Sequence, residues 1–470
     1  MRPEMQEYNY DWLMGKTLAI AARVPLGTKK ETELTYRYIP YFKNIAKTLI
    51  DAGDPGIQAL KMMSQYYENI LTAHAQGKKI VATTFCNSPA ILYAMDMVPV
   101  TFEMLTAIGS LVWKRGMFDY MDFCCEVGMP ETSCSSQRGA LGAVLGAVLG
   151  GLFEKIDMVI CDTPGVCDTN ANAFAFASEY LDKPFFQLNY PSSIGDDRSQ
   201  QYHIDDYKEM IKFAEKHSGN KLDYDRLAEV LSEVDKQDAM IADLEDMLML
   251  KPTPVPPVFN LLLYAGRFCF SGRREFTLLL ESMLKITKEN AAAGISGLKN
   301  GEEKLRMFMC YIDHYTVDLN FCHFLEERGI AHIGSILTRN FRDNNQYAQE
   351  MPGSSYGIDI SSPDAMLDTI AQMNARLPMV RSIRGPYDKK GMWLEESLIC
   401  AKMYDADCVI YNGTPGCRNT WGMVKPFARD MEKHGYPTHI MYDDAFDDRV
   451  ESWEATRERL DEFFKIRGLL

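Results

Sequence analysis

Two parts of this chain alternate short apolar, β-branched runs with stretches of helical periodicity. In the first part, the predicted strands are Ile80–Phe85, Val98–Phe102, Ile156–Ile160 and Pro184–Leu188. In the second part, they are Met307–Ile312, His332–Leu337, Cys408–Tyr411 and His439–Tyr442. Short strands separated by helical segments are typical of parallel α/β domains. The predicted fold class is therefore α/β, with two parallel-sheet domains and accessory helical regions.

The rest of the chain has mainly helical periodicity. Near the N-terminus, apolar residues recur at helical spacing in Tyr38–Ile50 and Ile57–Leu71, with Gly53-Asp54-Pro55 as the predicted break between them. A Pro-rich segment, Lys251–Pro257, predicts a rigid connector, and Val450–Phe464 predicts a C-terminal amphipathic helix. The predicted regions are helical 1–78, α/β 79–199, helical 200–300 and α/β 301–470.

The two α/β parts contain similar segments. Asp157–Cys167 and Asp407–Cys417 each begin with Asp-x-Val-Ile, continue through Thr-Pro-Gly and end in a cysteine ten residues after the aspartate. A helical stretch and a further strand follow both segments. The shared order and spacing predict a duplicated supersecondary unit.

Charge and hydrophobicity restrict the range of partners. The 470-residue chain has a net charge of −15 and no Lys/Arg-rich block, which argues against nucleic acid as a partner. No stretch reaches the roughly 18 consecutive apolar residues of a membrane span. The first residues lack the apolar segment of a signal peptide, so we expect a cytoplasmic protein that does not bind membranes. Twelve cysteines in such a chain favour buried thiols, metal ligands or nucleophiles over disulfides.

Three cysteines are candidate ligands of an iron–sulfur cluster. Cys167 and Cys417 follow predicted strands, each in a Gly/Pro turn that leads into a helix. Ligands of open α/β sheets bind beyond the carboxyl ends of the strands, and a helix N-terminus favours a thiolate. Cys134, just before a predicted Gly-rich helix, is the best candidate for a third thiolate. There is no CxxC motif or ferredoxin-like run, so spacing alone is a weak signal.

From Lys79 onward the sequence resembles the 2-hydroxyacyl-CoA dehydratase and benzoyl-CoA reductase superfamily. The segments that carry the resemblance are, in order, GKKIVATTFCNSPAILYAMDMVPVTFE, CSSQRGALGA, IDMVICDTPGVCDTN, KPTPVPP with RFCFSGRREFTLLLE, CVIYNGTPGCRNTWG and MYDDAFDDRVESWEATRERL. The resemblance implies two flavodoxin-like domains and a 4Fe–4S cluster held by Cys134, Cys167 and Cys417. The fourth iron position is then free for water or for the substrate's carbonyl or hydroxyl group.

The resemblance also implies a reaction and partners. The expected activity is radical dehydration of an (R)-2-hydroxyacyl-CoA thioester, in a heterodimer with a related second subunit. An ATP-hydrolysing activator protein supplies a low-potential electron. The thioester becomes a ketyl radical anion that expels the 2-hydroxyl group. Ser88 and Glu103 match, loosely, the polar residue and carboxylate that assist at the site, although a solvated carboxylate is an equal alternative for Glu103.

The sequence alone is compatible with more than one cluster and more than one activity. The vicinal pair Cys124-Cys125 departs from the simple dehydratase pattern, and together with Cys134 and Cys167 it could hold a double-cubane 8Fe–9S cluster. The protein would then be an ATP-driven reductase, expected as a homodimer. A benzoyl-CoA reductase-type enzyme and an electron-relay subunit without its own active site also fit the sequence. Arg267, Arg273 and Arg274 are candidates to bind CoA phosphates, with exposed helix charges as the simpler interpretation.

Overall fold

The computed structural model describes residues 10–23, 48–49, 52–84, 86–146, 155–163, 167–189, 197–311, 319–337, 356–377, 380, 391–413 and 415–470. Helices and strands are numbered below in chain order among these residues.

The first half contains a sheet of four parallel strands. Its elements, with the N-terminal helices, are α1 (Tyr10–Arg23), α2 (Asp54–Thr72), β1 (Ile80–Thr83), α3 (Ala90–Ala94), β2 (Val98–Thr101), α4 (Phe102–Val112), α5 (Lys114–Glu126), α6 (Ser135–Leu145), β3 (Ile156–Thr163), α7 (Asp168–Leu181) and β4 (Phe185–Asn189). The strand order is β2-β1-β3-β4, and all neighbouring strands are parallel.

Four helices then lead to a second sheet with the same topology. The helices are α8 (Asp197–Ser218), α9 (Tyr224–Met247), α10 (Val258–Cys269) and α11 (Arg274–Ala293). The remaining elements are β5 (Leu305–Tyr311), α12 (Asn320–Arg328), β6 (Ile330–Ser335), α13 (Pro363–Ala375), α14 (Met392–Met403), β7 (Cys408–Asn412), α15 (Arg418–Lys433), β8 (Thr438–Met441) and α16 (Trp453–Ile466). The second sheet has the parallel order β6-β5-β7-β8.

This strand order confirms the predicted α/β class and is that of flavodoxin-like domains. In each sheet the order reverses beside the first strand, so crevices form beyond the carboxyl ends of β1 and β3, and of β5 and β7. The eight strands lie where the sequence predicted them, with ends shifted by up to three residues. Phe85 and Ile312, the predicted last residues of two strands, lie outside the described residues.

The same contacts recur in both sheets, which confirms the internal repeat. The Asp157 carboxylate accepts a 2.8 Å hydrogen bond from the backbone N–H of Ile80 on β1. The Asp407 carboxylate accepts an equivalent 2.7 Å bond from the N–H of Arg306 on β5. Each aspartate thus caps the start of the neighbouring strand and fixes its register. The repeated Asp-x-Val-Ile motif therefore has a structural role in each sheet.

Both faces of each sheet are buried, as expected for parallel sheets. Ala82 of β1 and Phe308 of β5 belong to one large apolar cluster that spans the two halves of the chain. Val81 points to the other face, where α8 and α9 cover it, and Met307 points to a face covered by α12 and α16. Each fully buried side chain of this size contributes ~1.5–3 kcal/mol of hydrophobic stabilisation.

Helix ends follow the prediction less closely than the strands do. Helix α2 begins at Asp54, so Pro55 lies in its first turn and does not form a break, because proline is tolerated there. Helix α6, the predicted Gly-rich helix after Cys134, ends at Leu145, because Gly146 has a positive φ of 85°. Most of the predicted helix Tyr38–Ile50 lies outside the described residues. Among the described helices, none combines the length and apolar character needed to cross a membrane.

Candidate functional site

The three predicted cysteine ligands occupy the same local position. Cys134, Cys167 and Cys417 are the N-cap residues of α6, α7 and α15, which contain 11, 14 and 16 residues. All three are partly exposed. Cys167 and Cys417 follow β3 and β7 at the carboxyl ends of the two sheets, because the chain turns there into the next crossover helix. The partial positive charge of three helix N-termini therefore surrounds these sulfurs.

The three thiols lie near one another. The Cys417 thiol lies close enough to Cys134 and Cys167 to raise the pKa of both, and Cys134 and Cys167 also interact. Burial is the larger cause: it raises the pKa of Cys134 to about 12 and that of Cys167 well above its usual value. Backbone N–H groups of Ser136, Gln137 and Asn170 partly offset the effect. Cys134 and Cys167 therefore hold their protons at neutral pH and would release them on binding a cation.

The turn before Cys417 packs directly on the backbone before α6. A Cβ atom at Gly416 would lie 2.7 Å from the backbone nitrogen of Cys134 and 2.7 Å from the carbonyl carbon and oxygen of Ser133. Only glycine fits this contact. Within the described residues, no three Cys, His, Asp or Glu side chains already lie in metal-binding geometry. The cysteines thus converge from both halves of the chain, and their side chains would have to come closer together to enclose a metal group.

Glu103, the predicted carboxylate, is linked by hydrogen bonds to both α6 and α7. It lies in the first turn of α4, just after the carboxyl end of β2, and is 4% exposed. Its Oε1 atom accepts 2.8 Å hydrogen bonds from Thr84 Oγ1 and Gln137 Nε2. Gln137 lies in the first turn of α6, and Thr84 Oγ1 accepts a 3.2 Å bond from Asn170 Nδ2 in the first turn of α7. The solvated-carboxylate alternative for Glu103 is therefore wrong.

Two further residues follow β1. Cys86 is 1% exposed, and its pKa is raised by burial first and then by the nearby charges of Asp162, Glu103 and Cys167. Its thiol therefore lies beside the cysteine group. Ser88 is buried too, but its described contacts are with other residues: its N–H donates to Asn374 Oδ1 on α13 at 2.9 Å, and its Oγ accepts from Ala90 N at 3.4 Å. The described contacts do not join Ser88 to Glu103 or the cysteines.

The loop after β8 connects the second sheet to α6, the helix that begins after Cys134. Asp444 accepts hydrogen bonds from Ser135 Oγ, next to Cys134, and from the backbone N–H groups of Phe446 and Asp447 at 3.0 and 3.1 Å. Asp447 forms a buried ion pair of 3.6 Å with Arg138 of α6. The motif MYDDAFDD signals an acidic loop, but the sequence does not reveal its contacts with α6.

The vicinal cysteines lie on α5, which packs against α6. The buried Cys124 thiol interacts with the backbone of Gly142, eight residues beyond Cys134 and therefore ~12 Å further along the helix. Cys125 lies 3.8 Å from Arg138 Nη1, in an open cleft. The predicted grouping of both with Cys134 and Cys167 is not found in this geometry. Arg267 is also buried, 4.0 Å from Asp238 on α9, which removes it as a CoA-phosphate candidate.

The family model of the 2-hydroxyglutaryl-CoA dehydratase D-component matches residues 87–466. This range includes the three converging cysteines, Glu103, the second sheet and the first sheet except β1, and it covers well over half of the chain. No curated protein matches the chain. The chain therefore belongs to the 2-hydroxyglutaryl-CoA dehydratase D-component family.

Proposed function

We propose that this chain is the iron–sulfur component of a dehydratase that acts on 2-hydroxyacyl-CoA thioesters. The observation that carries the proposal is the convergence of Cys134, Cys167 and Cys417 at three helix N-termini from both sheets. Thiolates are the usual ligands of iron–sulfur clusters, and three of them leave one iron of a 4Fe–4S cluster open. A family named for a D-component also suggests a partner subunit.

The residues present fit such a cluster. Its iron ions would replace the three thiol protons, and the helix N-termini would stabilise the anionic sulfurs. When bound, the cluster would supply a low-potential electron and a Lewis-acidic iron for the oxygen atoms of the substrate. An ATP-hydrolysing activator would deliver that electron. Partial burial of the three cysteines limits the access of water to the site.

Glu103 is the proposed catalytic base. Its Oε1 atom accepts two hydrogen bonds, an arrangement that favours the ionised carboxylate over the protonated acid. Thr84 and Gln137 fix its orientation, and Glu103 lies near Cys167. The carboxylate is therefore held ready to accept a proton from a substrate bound beside the cysteines. Ser88 remains a predicted helper without a described contact to this group.

A second candidate is an electron-relay subunit. The observation in its favour is the buried Cys86 thiol beside Cys167, since a fourth thiolate would close the coordination of the cluster. A closed cluster has no position for substrate. Its spectrum would then be insensitive to acyl-CoA, whereas an open cluster shifts when the thioester binds.

The test is the content of iron and acid-labile sulfide per chain after purification without oxygen. We expect ~4 iron ions per chain, mostly lost in Cys417→Ser. Cys125→Ser is the matched control, because this cysteine lies outside the converging group, and it should keep its iron. About eight irons that depend on Cys125 would instead support the double-cubane cluster. Iron-free wild-type protein would refute the proposal.

A further inference from the structure

An apolar cavity adjoins the candidate site. It lies between α4 and α10 and has a volume of about 70 Å³. Ala107 and Leu111 of α4 line one side, Leu262 and Ala265 of α10 line the other, and almost all of the exposed lining is apolar. A preformed cavity with an apolar lining binds apolar groups and disfavours ions.

Glu103 connects this cavity to the cysteines. The residue is part of the cavity wall, while its Oε1 atom accepts the hydrogen bond from Gln137, three residues after Cys134. Its charge also reaches Cys167 on the other side. A group that reacts next to Glu103 would therefore have its attached side chain directed toward α4 and α10.

The chemistry of the lining restricts that side chain. Among the described residues that line the cavity, Glu103, Tyr264 and Cys269 are the titratable ones, and none of them can carry a positive charge. A carboxylate placed there would be desolvated without a cation and repelled by Glu103, which is costly. A volume of about 70 Å³ has room for a small side chain of only a few carbon atoms.

We propose that this cavity binds the side chain of the acyl-CoA substrate, and that the side chain is short and apolar, without a distal carboxylate. The inference rests on the proposed function and deepens it by naming the substrate class. The family is named for 2-hydroxyglutaryl-CoA, which has a distal carboxylate, so the proposed substrate of this chain differs from that one. Leu111 and Ala107 become specificity-determining residues, because they set the polarity and the depth of the cavity.

The experiment compares two thioesters that differ mainly in one carboxylate. 2-Hydroxybutyryl-CoA has an ethyl side chain, and 2-hydroxyglutaryl-CoA has the same two carbons followed by a carboxylate. Binding of each to the full chain, purified without oxygen, is measured by titration calorimetry. We expect 2-hydroxybutyryl-CoA to bind at least ~10-fold more tightly.

Two variants test the cavity itself. Ala107→Leu fills it and should weaken 2-hydroxybutyryl-CoA binding ~10-fold or more, whereas Leu111→Arg adds a cation and should improve binding of 2-hydroxyglutaryl-CoA relative to 2-hydroxybutyryl-CoA. Ala292→Leu, on an exposed part of α11, is the matched control and should leave both affinities unchanged.

The outcomes separate this inference from the proposed function. Equal affinities, or tighter binding of 2-hydroxyglutaryl-CoA, would overturn the inference but leave the proposed function standing. If 2-hydroxybutyryl-CoA binds more tightly but neither cavity variant changes the two affinities, the assignment of the cavity is overturned. A chain that contains iron but binds neither thioester would refute the substrate half of the proposed function, and this inference with it.

Discussion

Gly416→Ala should move the turn that contains Cys417 away from Cys134. The glycine belongs to the turn after β7, and its Cα faces the backbone of Ser133 and Cys134 before α6. Gly416 is not one of the described glycines with a positive φ, so alanine meets no backbone strain there. The effect of the substitution is therefore steric.

The size of the effect follows from the contact distances. The added methyl group would lie 2.7 Å from three backbone atoms, whereas ordinary van der Waals contact begins at 3.4 Å, so the turn must retreat by up to 3.4 − 2.7 = 0.7 Å. Backbone atoms cannot rotate away as a side chain can. Overpacking of this kind costs ~1–3 kcal/mol. The displacement also exceeds the ~0.2 Å tolerance of metal–ligand distances, so Cys417 would lose its alignment with Cys134.

The assay is thermal unfolding together with iron content after anaerobic purification. Gly416→Ala should unfold at a lower temperature and retain less than half of the iron. Gly422→Ala is the control, because this glycine lies in α15, six residues away, with no atom within 4 Å of an added Cβ. It should be stabilised by ~0.5–1 kcal/mol and keep its iron. If the two variants behave alike, the packing argument is wrong; if Gly416→Ala loses stability but not iron, the turn does not set the cysteine spacing.

Two further predictions concern stability. Arg306→Met should lower the free energy of unfolding by ~3–5 kcal/mol, measured by denaturant titration, because the buried guanidinium pairs with Glu303 at 2.6 Å and bonds three backbone carbonyls. Acid should destabilise the protein through His439, whose pKa burial lowers from 6.5 to about 4. Only the unfolded state gains this proton as the pH falls from 6.5 toward 4, so stability drops by ~1–2 kcal/mol by pH 5, and His439→Phe should reduce that slope.

Each of these predictions has a control. Arg328→Met breaks a half-exposed pair with Asp461 at 2.8 Å and should change stability by less than ~1 kcal/mol. A similar loss in both arginine variants would contradict the argument from burial. For the histidine, His434→Phe is the control, since His434 is exposed. An unchanged acid slope in His439→Phe would show that other groups cause the loss.

Much of the fold could be predicted because the signals are local. A parallel strand buried on both faces is a short apolar run, and the chain contains eight such runs in the described residues. The repeated aspartates were visible as a motif, although their hydrogen bonds to Ile80 and Arg306 were not. Helix ends were less certain, because a Gly-Asp-Pro sequence fits a break and a helix start equally well, and α2 uses it as a start.

The site was predictable only in part, for a physical reason. A cysteine in a Gly/Pro turn before a helix is a local pattern, and cysteines at helix starts were found in this way. The bonds that join them are long-range: Gln137 bonds Glu103 across 34 positions, and Asp444 bonds Ser135 across 309. Such long-range hydrogen bonds cannot be inferred from a single sequence. Gly416 shows the same limit, since its close contact with Cys134 depends on the docking of the two halves.

The duplicated unit also accounts for the asymmetry of the site. The repeat supplies one cysteine from each sheet, Cys167 and Cys417, in equivalent positions after β3 and β7. The third, Cys134, comes from the segment between β2 and β3, which contains α4, α5 and α6. That segment also contains Glu103, Gln137 and one wall of the apolar cavity. The first half would therefore position the substrate. The second half would contribute one cysteine ligand, and its Asp444 would hold α6 in place through the hydrogen bond from Ser135.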